Sequence, residues 1–378
     1  MHYRTFGSLD WTPSALGFGA MRLPTIGGDH GQIDEGEATQ MVRYAIDHGV
    51  NYVDTAYPYH KGTSEPFLGR ALQDGYREQV KLATKLPTWL VESPEDFDRY
   101  LSEQLERLQT DYIDFYLLHS LNKERWKQML ELDILSEAEK ALADGRICYL
   151  GFSFHDSCDV FKDIVDAYQW TFCQIMYNYM DETYQAGTKG LKYAASKGLA
   201  VVVMEPIRGG QLSQNVPEPI LKLWNTAPSK RTPADWALQW VWDHDEVSLL
   251  LSGMSTLEQV KQNIVSANQS GQRRLTEEEL ALIAQVRDQY DELCPIPCTK
   301  CEYCMPCPQG VRIPRILEIY NEAIMYNNEE RGRRAYQFLE EEKRADRCIQ
   351  CGECEEKCPQ SINIREWLAK AHDMLSEH

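Results

Sequence analysis

The chain has 378 residues, with 39 Lys+Arg against 58 Asp+Glu for a formal charge of -19, and this length suits a large domain with a smaller companion. So acidic a surface repels phosphate backbones and anionic headgroups, which argues against nucleic acid and membranes as partners. No stretch nears the roughly 18 apolar residues of a spanning helix, and the opening MHYRTFGSLD has no basic segment leading into an apolar run, so the chain reads as cytoplasmic.

Taken in chain order, short apolar runs recur: ALGFGAM (15–21), NYVDTA (51–56), VKLATK (80–85), YIDFYLLH (112–119), ICYLGFSF (147–154), FCQIMYNY (172–179), LAVVVMEP (199–206) and VSLLLSG (247–253). They are continuous rather than alternating, as strands covered on both faces are. Amphipathic stretches of helical length lie between them, such as Glu35 to His48 and Pro94 to Leu108, the latter with Ser93 as its expected N-cap. Strands alternating with helices make a parallel βα repeat, and eight strands fit a closed (β/α)8 TIM barrel. An open doubly wound sheet is the alternative, but no Gly-x-Gly-x-x-Gly turn follows the first strand.

A capping-box start at Thr276-Glu277-Glu278-Glu279 opens one more helix, to about Glu292, before the character changes to PIPCTKCEYCMPCPQGVRIP. The expected boundary therefore separates a barrel over 1–291 from a small, mainly α-helical domain over 292–378. Nine of the twelve cysteines fall after residue 290. The other three, Cys148, Cys158 and Cys173, sit in or beside apolar segments and read as small buried hydrophobes. Pro314 to Arg344, dense in Glu and Arg, reads as a helical stretch with a solvated face.

The late cysteines form two arrays, Cys298-x2-Cys301-x2-Cys304-x2-Cys307-Pro308 and Cys348-x2-Cys351-x2-Cys354-x3-Cys358-Pro359. A two-residue gap lets a tight loop set three thiolates around one cubane, while the fourth cysteine, redirected by the proline after it, reaches the other cluster. That places Cys298, Cys301, Cys304 and Cys358 on one cluster and Cys307, Cys348, Cys351 and Cys354 on the second. Structural zinc is the competing reading, but zinc sites usually pair Cys-x2-Cys units two plus two. The arrays resemble those of bacterial two-cluster ferredoxins, and the long insert between them is similar to the α-helical variety. One departure is the two-residue gap before Cys307, where three is usual; Cys294 is the spare cysteine beside it.

In the barrel, Asp54, Lys85 and His119 end three consecutive strands, and Tyr59 lies five residues beyond Asp54. Barrels of this kind build their sites at the carboxyl ends of the strands. Singly, each has an ordinary explanation as a cap, a snorkelling lysine or a core histidine. Together, in DTAYPY, ATK and LLH, they resemble the Asp, Tyr, Lys and His tetrad of the aldo-keto reductase family over about residues 5–270.

The resemblance implies reduction of a small-molecule carbonyl by NADH or NADPH, with Tyr59 as general acid. Lys85 is expected to lower the phenol's pKa, Asp54 to hold Lys85, and His119 to bond the substrate oxygen. It further implies that Ser153 and Gln174 hold the nicotinamide carboxamide, that Met204 replaces the usual stacking aromatic, and that Gln262 and Asn263 serve the adenine side. Phe154 stands where the family has Asn, and Glu205 replaces a small polar residue. Gly253 and Gln259 stand where Lys and Arg grip a 2′-phosphate, so NADP preference is doubtful and NADH is equally implied. Substrate choice is expected in the loop Arg22 to Ile33 and around Trp89.

One-electron clusters do not take a hydride directly, so coupling to the barrel needs a flavin or an external intermediary. Either a redox protein partner feeds the module or the clusters are structural. The rival reading is an iron-sulfur electron-transfer or binding protein on a retained barrel scaffold, with a flavin as helper.

Overall fold

The computed structural model describes residues 1–376. All eight expected strands form: β1 Leu16–Gly19, β2 Tyr52–Asp54, β3 Lys81–Leu86, β4 Ile113–Leu121, β5 Ile147–Phe154, β6 Phe172–Met176, β7 Ala200–Met204 and β8 Val247–Gly253. Each pairs in parallel with its sequence neighbour, and β1 pairs with β8 to close the barrel. Closure rules out the open sheet. The runs NYVDTA and FCQIMYNY overshoot their strands, because pairing stops at Asp54 and Met176.

Alternate residues of a strand face the same side. Tyr52, Ala83, Leu117, Phe172 and Val202, from five different strands, meet in one buried cluster with Phe6 of the hairpin preceding β1. Strands spaced around a closed barrel can meet in one cluster only inside it. Two residues further along the same strands stand Asp54, Lys85, His119, Gln174 and Met204. The pleat that buries an apolar layer inside the barrel therefore aims these five side chains inward just beyond it. Gly151 belongs to the same packing, since a Cβ there would lie 2.5 Å from the Phe172 ring.

Two local expectations fail. The helix over Glu95–Leu108 has Pro94, not Ser93, at its cap position, and the bonding runs the other way: the Asp96 carboxylate accepts from the backbone N–H groups of Glu92 and Ser93 at 2.8 and 3.0 Å. Of the three early cysteines only Cys173 is buried; Cys148 is exposed and Cys158 half-buried.

The chain divides into two compact units, residues 1–209 with 235–276, and residues 210–234 with 277–378. The second takes in the helices Glu218–Thr226 and Glu277–Glu292 together with the cysteine arrays. Its core draws on Ile313, Ile316, Leu317 and Ile319 of the helix Ile313–Met325, Tyr336 of the helix Glu329–Gln337, and Leu368 and Leu375 of the helix Ile364–Ser376. The charged stretch 314–344 is thus not simply a solvated face: it forms two helices, and the first supplies much of this core. Among the described residues no helix is long and apolar enough to cross a membrane.

Candidate active site and cluster cavities

Asp54, Tyr59, Lys85 and His119 come together at the carboxyl ends of β2, β3 and β4. Lys85 is fully buried, and its Nζ donates to both Asp54 carboxylate oxygens at 2.8 Å and to the Thr55 carbonyl at 2.6 Å. Those bonds fix the direction of the ammonium group, which also hydrogen-bonds the Tyr59 phenol. The Nζ lies 5.0 Å from the centre of the Tyr59 ring, and the Tyr59 and His119 rings meet edge to face at 6.2 Å. Trp89 closes the group, its ring 5.1 Å from that of His119.

Burial dominates the electrostatics. Desolvation pushes the Tyr59 phenol above its usual pKa and outweighs the opposite pull of Lys85, which corrects the expectation of a lowered value. Burial also raises Asp54 against the pull of Lys85. For Lys85 itself desolvation works downward, but Asp54 and Tyr59 outweigh it and the net shift is upward. His119 falls well below the ordinary imidazole value through burial and then the Lys85 charge, so it is neutral at pH 7. Its Nδ1 is buried without a partner. The result is a protonated phenol beside a cation and a neutral imidazole, a set that can give a proton to an oxygen and hold it by hydrogen bonds.

Tyr59 opens a short turn that demands unusual backbone. His60, Lys61 and Gly62 have φ of 52°, 55° and 89°, a left-handed run that non-glycine residues rarely adopt. The buried His60 ring steadies it: Nε2 accepts the Leu23 N–H at 3.1 Å, and Nδ1 faces the His30 carbonyl at 2.9 Å. Since an amide can only donate, Nε2 is the acceptor and the proton sits on Nδ1. Sequence reasoning missed His60; its only signal was adjacency to Tyr59.

On the nicotinamide side, Ser153 and Gln174 are register partners across β5 and β6. The Ser153 Oγ accepts the Ser120 N–H at 2.6 Å, and Gln174 Nε2 lies 3.5 Å from the Met204 sulfur. The Gln174 Oε1 is buried with no partner. A buried acceptor left open beside Ser153 fits the amide of a nicotinamide carboxamide. Phe154 is fully buried and packs against the Phe161 ring at 5.1 Å, which explains an apolar residue there. The adenine-side pair separates: Asn263 donates to Ser252 Oγ at 2.8 Å, whereas Gln262 is exposed and bonds Glu258 at 3.0 Å. Gln259 is engaged too, accepting the Ser255 N–H at 2.8 Å.

In the second unit the cysteines line two cavities. One is bounded by Cys298, Cys301, Cys304 and Cys358, the other by Cys304, Cys307, Cys348, Cys351 and Cys354. The short-gapped Cys307 therefore faces the second array. Cys294 lines neither; its thiol donates to the Ile296 carbonyl at 3.5 Å. Both arrays share a backbone device, in which the residues flanking the middle cysteine are left-handed: Lys300 and Glu302 around Cys301, Gln350 and Gly352 around Cys351. Asn321, buried, clamps the approach by bonding both the N–H and the carbonyl of Ile296 at 3.1 and 2.8 Å. The ion pair of Arg365 with Glu355, at 2.8 Å, ties the second array to the last helix. All-thiol rings around a cavity suit iron-sulfur cubanes.

A closed eightfold barrel with these polar groups on its carboxyl rim, joined to a unit with two thiol-lined cavities, defines an oxidoreductase architecture with an iron-sulfur module. The model of the aldo/keto reductase family matches residues 15–288, and that of a 4Fe-4S dicluster domain matches 297–362. The chain belongs to the aldo-keto reductase family. It is 27% identical over 307 residues to L-galactose dehydrogenase of Arabidopsis thaliana, spanning 75% of this chain and 93% of that protein. Identity to the NADH-specific methylglyoxal reductase of Escherichia coli is 24% over 309 residues, 69% of this chain and 92% of that one. Among solved structures, the holo form of aldo-keto reductase AKR11C1 from Bacillus halodurans superposes with a TM-score of 0.64 at 29% identity, covering 76% of this chain and 96% of that one. The protein is an NAD(P)H-dependent oxidoreductase that carries two 4Fe-4S clusters in its C-terminal region.

Proposed function

We propose that the barrel reduces the carbonyl of a small molecule with Tyr59 as proton donor, and the convergence of Asp54, Lys85, Tyr59 and His119 on one rim carries this reading. The nicotinamide supplies the hydride. Tyr59 gives its phenolic proton to the carbonyl oxygen. Lys85, locked by Asp54 and Thr55, favours the phenolate that remains, and neutral His119 hydrogen-bonds the oxygen as charge builds on it. Ser153 and the open Gln174 acceptor orient the cofactor's carboxamide, with Met204 and Asn263 as further cofactor contacts. Gln262 contributes only after turning from Glu258. Gly253 and Gln259 do not themselves supply the cations expected for a 2′-phosphate, although the Arg22 side chain packs against Gly253, and NADH serves at least as well as NADPH, in keeping with the name of the NADH-specific relative.

In the second unit, Cys298, Cys301, Cys304 and Cys358 bind one cluster and Cys307, Cys348, Cys351 and Cys354 the other, with the cluster domain beginning near residue 292. The clusters exchange single electrons with a redox protein, in the cytoplasm. The deciding experiment measures NADH- and NADPH-dependent reduction of an aldehyde panel by wild type and Tyr59→Phe. Loss of roughly 100-fold or more in kcat is expected on removing a general acid. Turnover that survives unchanged without the phenol would overturn the proposal.

A further inference from the structure

We propose that the active-site rim carries a second binding element, an anion subsite centred on Arg125, so that the carbonyl substrate bears a carboxylate or a similar anionic group. This deepens the reductase reading and rests on it. Arg125 belongs to the first turn of the helix Lys123–Glu131, where its own N–H is capped by the Asn122 side chain at 2.8 Å. Its side chain turns back over the end of β4: Nη1 donates to the Ser120 carbonyl at 2.8 Å, one residue beyond His119. The guanidinium carbon lies 5.5 Å from the centre of the Trp89 ring, and that ring lies 5.1 Å from His119. Arg125, Trp89, His119 and Tyr59 thus form a continuous line along the rim. Arg125 is also among the charges that depress His119 and His155, which places its field inside the site.

What singles it out is the missing carboxylate. From Arg43 to Arg146 every other arginine, namely Arg43, Arg70, Arg77, Arg99, Arg107 and Arg146, pairs with an Asp or Glu. Arg125, in a chain with 58 acidic residues, spends a single N–H on a neutral carbonyl. Its other N–H groups have no protein acceptor among the described residues, although the side chain is half-buried. A guanidinium offers five N–H donors in a planar fork that matches a carboxylate, and desolvating one without an anion is unfavourable. Ser120, left-handed at φ 57°, aims the carbonyl that holds the fork in place. The face of Trp89 between Arg125 and His119 then provides a flat apolar wall for the carbon skeleton linking anion to carbonyl.

The experiment pairs each carboxylated aldehyde with a neutral counterpart: 4-oxobutanoate with butanal, and 4-carboxybenzaldehyde with benzaldehyde. Each is assayed with NADH on cluster-loaded wild type, Arg125→Met and Arg125→Lys. Arg125→Met is expected to raise KM for at least one carboxylated aldehyde about 10-fold or more, as loss of a charge-assisted hydrogen bond predicts. The neutral aldehydes should keep their KM, and Arg125→Lys should recover part of the loss. Calorimetry of succinate binding to the NAD+-loaded protein gives a readout free of turnover. Weakening by Arg125→Met but not by Tyr59→Phe supports the subsite even if no aldehyde is reduced, in which case the hydride reading alone falls. If neither carboxylated aldehyde nor succinate responds to Arg125→Met, the subsite is wrong, whatever the catalytic activity.

Discussion

The rim of the barrel and the cysteine arrays reach the same end, several reactive groups aimed at one point, by opposite routes. In the barrel the strands do the aiming: Asp54, Lys85 and His119 each stand two residues beyond a member of the interior cluster, and bonds such as Lys85 to Asp54 at 2.8 Å hold them. The site is built before any ligand arrives. In the second unit most of the cysteines ride on irregular loops bent by left-handed residues, with Cys354 on the short helix Glu353–Glu356, and the longer helices supply the core behind them. A hydride site needs fixed donors before substrate binds, whereas a cluster site can use cluster binding itself as part of its folding energy.

The largest test of this contrast is Lys85→Met. Leaving the Asp54 carboxylate buried without its partner should cost about 3–5 kcal/mol, read as a shift in urea midpoint, and hydrogen exchange should locate the loss in the barrel. Unchanged barrel protection would mean that the strands, not the ion pair, hold the site. Next in size is Asn321→Leu, which strands the Ile296 N–H while its carbonyl keeps the Cys298 N–H at 2.7 Å, and should cost about 1–3 kcal/mol. Its signature is reduced iron content and faster cluster bleaching while NADH binding to the barrel is retained. Normal iron loading would show that the clamp is dispensable.

A smaller, graded effect is expected with acid. His60, His119 and His155 all lie in the barrel unit and have pKa values held below the ordinary 6.5, chiefly by burial. The native state therefore binds fewer protons than the unfolded chain. Their stability contribution is complete above about pH 6.5 and is lost as pH falls from there through the folded-state values. His60 adds a local consequence, because a protonated ring cannot accept the Leu23 N–H. Urea unfolding at pH 7.5 and 5.5, with exchange resolved by segment, should show the loop Arg22 to Ile33 opening first in acid. Equal protection at both pH values would remove His60 as the link between that loop and the Tyr59 turn.

Much of this was legible in the chain because the relevant physics is local. A strand buried on both faces must be continuously apolar, so all eight strands announced themselves, and ionisable residues at the ends of three of them marked the rim. Cysteine spacing carried the cluster arrays for the same reason, since loop length decides which thiolates can share a cubane. The charged stretch 314–344 misled because Glu and Arg dominate its composition, although Ile313, Ile316 and Leu317 already carried helical spacing. Ser93 misled because it enters the helix start as a backbone donor to the Asp96 carboxylate, at 3.0 Å.

What only the tertiary structure decided is everything that depends on dehydration or on meetings between distant loops. The direction of the Tyr59 shift reversed because burial, invisible in a sequence, outweighs one nearby ammonium. His60 found Leu23 and His30 through loop closure, and Gln262 turned to Glu258 through its place on the outer face of a helix. Arg125 stands beside Trp89 without a carboxylate for the same reason: sequence sets which side chains alternate along a strand, but desolvation and loop packing set which charges keep a partner.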